Sequence, residues 1–291
     1  MIPGIFSTVF ERATLDEVLG AMVEAGFRAT QFHLASAVPV AEPRQNTIPA
    51  ELDEATCRAI RETFAARGVT MAAVSGTFNL IHPDPGRRDE GFRRLELLAS
   101  RCAALGTDVV TLCSGTLDAA YMWRTHPGNG SPAAWRSMLE GMARAAAIAE
   151  RHGVRVAFEP EVSNVIDSAA RARRAIDEVG SPHLKVCIDG ANLYHRGELA
   201  RLHEVLAEAF DLIGPEIVLA HAKDVTRDGE AGHDAAGTGL LDYDAYLGHL
   251  RDAGYEGAVV LHSLSEAQVP GCRDFLAARL ASAARGGSRP A

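Results

Sequence analysis

The 291-residue chain has 47% hydrophobic and 23% charged residues, which is typical of globular proteins and excludes a disordered or collagenous chain. Its 29 Lys and Arg against 38 Asp and Glu give a net charge of −9, which argues against nonspecific binding to nucleic acid. The five cysteines form no CxxC pair, and neither a secretion signal nor an apolar run of 18 residues is found. We therefore expect a cytoplasmic protein with reduced thiols and no contact with a membrane.

Short apolar segments alternate with helical segments along the chain. Near-continuous apolar strands indicate burial on both faces, as in a parallel sheet that helices cover. The spacing of Thr14 and Glu17 predicts a capping box at the start of the first helix. The predicted strands are residues 2–8, 29–34, 69–75, 108–113, 154–159, 184–189, 217–222 and 257–262.

Seven of the predicted helices end at a glycine, which we expect in the left-handed conformation that stops a helix. These glycines are Gly26, Gly68, Gly106, Gly153, Gly180, Gly214 and Gly254. Seven helix-to-strand junctions and an opening strand predict an α/β fold that closes as a single (β/α)8 TIM barrel, with a doubly wound open sheet as the alternative. The barrel domain is expected over residues 1–285, followed by a flexible C-terminal tail over residues 286–291.

Polar side chains stand at the carboxyl ends of the predicted strands, where TIM barrels build their active sites. Four successive strands end with Glu159, Asp189, His221 and His262. Carboxylates and imidazoles that converge from separate strands suit a divalent metal ion, for which we expect Mn²⁺, with Co²⁺, Zn²⁺ and Mg²⁺ as alternatives. The competing interpretation is that each residue caps a helix or pairs with a neighbour. Four such residues at corresponding positions favour the metal site.

Further polar residues of the same face are predicted to contact a substrate. Three histidines there are expected either to bind substrate hydroxyls or to have structural roles: His33, His82 and His233. Lys223 is expected on the same side of its strand as His221, where it binds a carbonyl, carboxylate or phosphate or else pairs with Asp224 or Glu161. Glu161 and Asn192 complete the predicted contacts, and Glu161 is alternatively expected to orient a metal ligand.

The segment over residues 114–133 is longer than the usual loop between a strand and a helix and is rich in aromatic and polar residues. Long loops on this face of a barrel commonly cover a substrate, so we predict a lid. Trp123 is expected to stack on the apolar face of a sugar ring, and Arg124 and His126 to hold an anionic or hydroxylated end. The alternative is that the loop packs against a second subunit in a homo-oligomer.

Four motifs give the chain a resemblance to a known superfamily. They are Ala157-Phe-Glu159-Pro-Glu161, Cys187-Ile-Asp189-Gly-Ala-Asn192, Leu219-Ala-His221-Ala-Lys-Asp224 and Gly237-Thr-Gly239-Leu-Leu-Asp242. Over nearly its whole length the chain resembles the xylose-isomerase-like TIM barrels, in particular the branch of sugar phosphate isomerases and epimerases. The AP endonucleases are a more distant likeness.

The resemblance implies metal ligands at Glu159, Asp189, His221 and the end of strand eight. The superfamily has Glu at that last position, whereas this chain has His262. Where AP endonucleases have further ligands, Asn192 and Ala231 stand here, so no trinuclear site is expected.

The resemblance also implies an activity, that of a metal-dependent isomerase or epimerase of a ketose-like sugar or polyol derivative. The ion is expected to bind two adjacent substrate oxygens while Glu159 removes a proton next to the carbonyl, which gives an enediolate. His262 is expected to ligate the ion or to exchange protons. The alternatives are a lyase or dehydratase that acts by β-elimination, an AP endonuclease, and a sugar-binding barrel without catalysis.

Overall fold

The structure of the protein is a computed structural model that describes residues 1–285, and the predicted tail over residues 286–291 lies outside the described residues. Within residues 1–285, eight parallel strands alternate with eight helices. Each strand pairs with the next one along the chain, and the last strand pairs with the first, for example Gly4 with Val260. The predicted α/β TIM barrel is therefore confirmed, and the open sheet is excluded.

The bounds of the strands agree with the predicted ones to within two residues. The strands are β1 Ile2–Phe6, β2 Ala29–Phe32, β3 Thr70–Ser75, β4 Val109–Cys113, β5 Arg155–Glu159, β6 Leu184–Asp189, β7 Ile217–Ala222 and β8 Ala258–Leu261. The helices are α1 Leu15–Glu24, α2 Glu54–Arg67, α3 Pro85–Leu105, α4 Pro132–His152, α5 Ala169–Val179, α6 Leu202–Ile213, α7 Tyr243–Asp252 and α8 Val269–Arg285. Over the described part of the chain, no helix combines the length and the apolar character that crossing a bilayer requires.

The signals for helix ends are confirmed with one exception. The capping box forms at the start of α1, where Thr14 Oγ1 accepts from Glu17 N at 3.3 Å and Glu17 Oε2 accepts from Thr14 N at 3.0 Å. Six of the seven predicted glycines have φ between 62° and 92°. The prediction is wrong for Gly214, whose φ of −49° is right-handed. A Cβ on Gly214 would lie 3.2 Å from Ala253 Cβ, so glycine there permits close packing against the end of α7.

The interior of the barrel has an apolar floor below a polar layer. The floor is a cluster of buried, mostly small side chains: Ala29, Ala73, Val109, Ala157, Cys187, Leu219, Ala258 and Val260. Since side chains alternate along a strand, a residue two positions further on points the same way. The polar layer built in this way consists of Gln31, Ser75, Thr111, Glu159, Asp189, His221 and His262. Strand alternation alone therefore brings the predicted metal ligands to one level of the barrel.

The cysteines take part in packing. All five are free and buried. Burial raises the pKa of Cys113 to about 12, so its thiol stays protonated at neutral pH.

The loop between β7 and α7 is organised by Asp224. Its carboxylate accepts hydrogen bonds from Gly237 N and Leu241 N, both at 2.9 Å. A Cβ on Gly239 would lie 2.4 Å from Asp224 Oδ1, so only glycine fits there without displacing this carboxylate. The glycine-spaced motif therefore shapes the loop that also contains His233.

We expect Gly239→Ala to destabilise the protein by about 1–3 kcal/mol, because the added methyl group overpacks the loop against Asp224. Gly248→Ala is the matched control, since Gly248 lies inside α7 and a Cβ there meets nothing within 4 Å. That substitution should stabilise by about 0.4–1 kcal/mol. Urea unfolding followed by circular dichroism measures both values, and equal shifts in the two variants would contradict the role assigned to Asp224.

Candidate metal and substrate site

Asp189 lies at the centre of the polar layer and is completely buried. Its Oδ1 accepts a hydrogen bond from Ala191 N at 2.9 Å, which fixes the orientation of the carboxylate. Its Oδ2 lies 2.9 Å from His262 Nε2, 3.3 Å from Lys223 Nζ and 3.8 Å from His221 Nδ1. Burial by itself raises the pKa of Asp189, but Lys223 and His262 hold that pKa well below its usual range. The carboxylate is therefore ionised.

The two nitrogens of His221 have different surroundings. Nε2 lies 2.7 Å from Gln31 Oε1 and 3.3 Å from Cys187 Sγ. Nδ1 is buried and has no hydrogen-bond partner among residues 1–285. It lies 3.6 Å from Glu159 Oε1 and 3.8 Å from Asp189 Oδ2. An unpaired nitrogen between two carboxylates is a suitable ligand for a cation.

Glu159 is held at the edge of this cluster by an amide. Asn192 Nδ2 donates to Glu159 Oε1 at 2.6 Å, whereas Asn192 Oδ1 is buried without a partner. Burial by itself raises the pKa of Glu159, but His221 and Lys223 keep that pKa below its usual value. The carboxylate is therefore charged and able to accept a proton or to bind a cation.

The donor set fits a divalent cation. One ligand atom each from Asp189, His221 and His262 lies within 4.8 Å of the other two. Glu159 is not part of that compact group, although its Oε1 is 3.6 Å from His221 Nδ1. Mixed imidazole and carboxylate ligands are typical of Mn²⁺, Co²⁺ and Zn²⁺ sites.

A cavity of about 380 Å³ opens beside the cluster. Its apolar wall is formed by Phe6, Pro43, Leu112, Tyr121 and Trp123. Six of the predicted substrate contacts also line it: His33, Trp123, Glu161, Asn192, Lys223 and His233. The cavity therefore combines an apolar surface with polar groups, as small-molecule sites do.

Two predicted substrate contacts lie elsewhere. His82 Nδ1 accepts from Asp84 N at 3.0 Å and His82 Nε2 lies 3.1 Å from Ala119 O, so both ring nitrogens pair with backbone. Arg124 has 60% of its side chain exposed and lies 3.5 Å from Asp118. The structure does not bring His82 or Arg124 to the wall of this cavity.

Two further predicted residues have well-defined partners. Lys223 pairs with Asp189 at 3.3 Å rather than with Asp224 or Glu161. Glu161 accepts hydrogen bonds from Ser163 N at 2.9 Å and from Asn164 Nδ2 at 3.1 Å. Burial raises the pKa of Glu161 to about 7.

Gln31 is a member of the cluster that the sequence analysis did not select. Gln31 lies on β2, two residues after the floor residue Ala29, and contacts His221 of β7 across the barrel interior. The signal in the sequence was a large polar residue at an inward position of a buried strand, which needs a polar partner. Nothing in the sequence identifies His221, 190 residues away, as that partner.

The chain belongs to the xylose isomerase-like TIM barrel family, whose profile matches residues 19–278. A ketose 3-epimerase from Arthrobacter globiformis is 28% identical over 107 residues, which are 37% of this chain and 33% of that protein. The match thus spans about a third of the length of this curated relative.

Solved structures of the same fold include proteins described as sugar epimerases. A structure of L-ribulose 3-epimerase superposes with a TM-score of 0.72 at 18% identity and covers 100% of both chains. A D-tagatose 3-epimerase-like protein superposes with a TM-score of 0.75 at 14% identity, over 98% of this chain and 99% of that chain. At these identities the likeness shows the shared fold.

Proposed function

We propose that this protein is a metal-dependent epimerase or isomerase of a ketose-like sugar or polyol derivative. The observation that carries the proposal is the buried, partnerless Nδ1 of His221 between the carboxylates of Glu159 and Asp189. This cluster opens on a cavity large enough for a small molecule. The named activity of the Arthrobacter globiformis relative supports a sugar substrate.

Asp189, His221, His262 and Glu159 would hold the divalent ion, for which we propose Mn²⁺, with Co²⁺, Zn²⁺ and Mg²⁺ as alternatives. When bound, such an ion acts as a Lewis acid that polarises a substrate carbonyl. Lys223 balances the charge of Asp189 at 3.3 Å from Oδ2, the oxygen that also faces His221 and His262. The buried carboxylate is thus neutralised by fixed groups even before a cation arrives.

Glu159 is the base in this proposal, because its charged carboxylate faces the cavity. It removes a proton from the carbon next to the substrate carbonyl, and the electron pair of that C–H bond delocalises to give an enediolate. Asn192 positions the base through its 2.6 Å hydrogen bond, and its free Oδ1 can accept a bond from a substrate hydroxyl. Return of that proton by Glu159 to the neighbouring carbon gives the isomer. Delivery of a proton to the original carbon from the other face, for which we propose His262 as the donor, gives the epimer.

The apolar wall and the polar groups on it would orient the substrate. Trp123 and Phe6 offer aromatic surface for the C–H face of a sugar. His33 and His233 line the same cavity and are placed to contact hydroxyl groups. Burial lowers the pKa of His33, so its imidazole is neutral. Its Nδ1 accepts from Ala35 N at 3.1 Å, so Nε2 carries the proton and can donate it to a substrate oxygen.

Elimination is the second candidate, and the residue at the end of β8 favours it. His262 occupies the position at which the superfamily pattern has a carboxylate. Burial and the neighbouring His221 lower the pKa of His262 to about 4, so the metal-free site has a neutral imidazole there. A lyase or dehydratase would use the same proton removal by Glu159 and then expel a substituent from the next carbon, with His262 or another histidine donating a proton to the leaving group.

The test is proton NMR of a panel of free ketoses in D₂O with protein that has been stripped by a chelator and reloaded with Mn²⁺, Co²⁺, Zn²⁺ or Mg²⁺. We expect carbon-bound hydrogen next to the carbonyl to exchange and an epimer or aldose to accumulate in the reloaded protein only. Dehydrated or cleaved products would establish the elimination reaction instead. Sugar binding without any exchange by every metal-loaded sample would overturn both candidates in favour of a binding protein.

A further inference from the structure

We propose that Gln31 is a positioning residue that fixes the tautomer of His221 and thereby keeps its Nδ1 free to bind the metal. The inference rests on the proposed metal site, yet it concerns an amide on β2 that contacts His221 and is not one of the proposed ligands. It assigns a role to a buried amide that neither the sequence pattern nor the proposed reaction uses.

The amide of Gln31 is enclosed by polar groups from three other strands. Its side chain is 3% exposed. Gln31 Oε1 lies 2.7 Å from His221 Nε2, and Gln31 Nε2 donates to Ser75 Oγ and to Thr111 Oγ1, both at 3.1 Å. Cys187 Sγ, 3.3 Å from His221 Nε2, is the remaining neighbour of this nitrogen. Both amide hydrogens and the amide oxygen are therefore used.

This arrangement determines which nitrogen of His221 carries the proton. A carbonyl oxygen at 2.7 Å requires an N–H at Nε2, and a neutral imidazole has only one N–H. Nδ1 is then an unprotonated acceptor, as a metal ligand must be.

The opposite arrangement leaves buried donors without partners. With the amide turned over, its NH₂ would face His221 Nε2 and one of its two hydrogens would have no acceptor. The proton of His221 would move to Nδ1, whose nearest carboxylate oxygens are at 3.6 and 3.8 Å, too far for a hydrogen bond. Because unsatisfied buried donors are costly, the orientation with the amide oxygen on His221 and the NH₂ group on Ser75 and Thr111 is favoured.

Two substitutions separate this role from a purely structural one. Gln31→Met keeps the approximate shape of the side chain and removes the acceptor, whereas Gln31→Glu keeps an acceptor opposite His221. Thr30→Val is the matched control on the same strand. Thr30 is buried and points to the other side, where its hydroxyl donates to Ile5 O at 2.6 Å.

The first readout is the long-range proton–nitrogen NMR spectrum of His221 in the metal-free protein, assigned by its loss in His221→Phe. We expect the Nε2–H tautomer in the wild type, Gln31→Glu and Thr30→Val, and a mixture of tautomers in Gln31→Met. The second readout is the affinity for Zn²⁺ or Mn²⁺ by calorimetry. We expect Gln31→Met to weaken it about 10–100-fold, and Gln31→Glu to restore it.

An unchanged tautomer and unchanged affinity in Gln31→Met would overturn the inference. If that variant does not fold, the pair Ser75→Ala and Thr111→Val releases the amide, and the same mixture of tautomers is expected. The proposed metal site and the positioning role of Gln31 can be refuted independently of each other. If the wild type binds no divalent metal while Gln31→Met still changes the tautomer, the positioning role stands and the proposed metal site is wrong.

Discussion

Glu159→Gln is expected to lower kcat by about 10²–10⁴-fold, the usual contribution of a general base. A glutamine has nearly the same shape, and its oxygen can still accept the 2.6 Å hydrogen bond from Asn192. It cannot take up a proton, however. The loss should therefore appear equally in product formation and in exchange of substrate hydrogen with D₂O.

The experiment measures kcat, deuterium exchange and metal affinity in the same variant, since Glu159 is also a proposed ligand. A fall in kcat at saturating metal indicates a lost base, whereas a fall that excess metal reverses indicates a lost ligand. Glu150→Gln, an exposed carboxylate on α4, is the control for removal of one negative charge. Full activity of Glu159→Gln at saturating metal would exclude Glu159 as the base.

Asp189→Asn is expected to destabilise the metal-free protein by about 3–5 kcal/mol, the cost of leaving a buried charge without its partner. The charge left without a partner is that of Lys223, which is 4% exposed and lies 3.3 Å from Asp189 Oδ2. The amide also replaces the acceptor of the bond from His262 by a weaker one. Stabilisation by added Mn²⁺ should disappear as well, because ligand binding stabilises only a fold that retains its site.

Urea unfolding of Asp189→Asn, Lys223→Met and the double variant measures how strongly the two side chains stabilise each other. The double variant should recover much of the loss of Asp189→Asn, since no buried ammonium group then lacks its carboxylate. Additive effects of the two substitutions would show that Lys223 and Asp189 do not stabilise each other.

The barrel and the cluster of candidate metal ligands could be predicted because both depend on local patterns. Apolar blocks between helices predict strands, and a period of two along each strand decides which residues face inward. Asp189 and His221 follow from this rule, since each lies two residues after a floor residue. The conformation of Gly214 could not be predicted in the same way, because the chain continues from α6 directly into a 3-10 helix over Gly214–Glu216.

Contacts between distant segments account for the remaining differences between the site predicted from the sequence and the site in the structure. His82 lies after a strand like the other histidines, but the loop it belongs to folds so that both ring nitrogens meet backbone atoms. The amide of Asn79 contributes to that fold, since it donates to Thr116 O at 2.8 Å. Such backbone bonds depend on the path of two loops, which composition and spacing do not encode. The pairing of Gln31 with His221 is hidden for the same reason.

The cavity is built from two parts: the ends of the strands, which hold the proposed base and metal ligands, and the connecting loops, which form much of the wall that a substrate would contact. The polar groups of the site, such as Glu159 and Asp189, lie at the ends of the strands, above a floor of mostly small side chains. Much of the aromatic wall, including Tyr121 and Trp123, comes instead from connecting segments. Substitutions in these segments are therefore expected to change which small molecule the cavity accepts while leaving the proposed base and metal ligands on the strands in place.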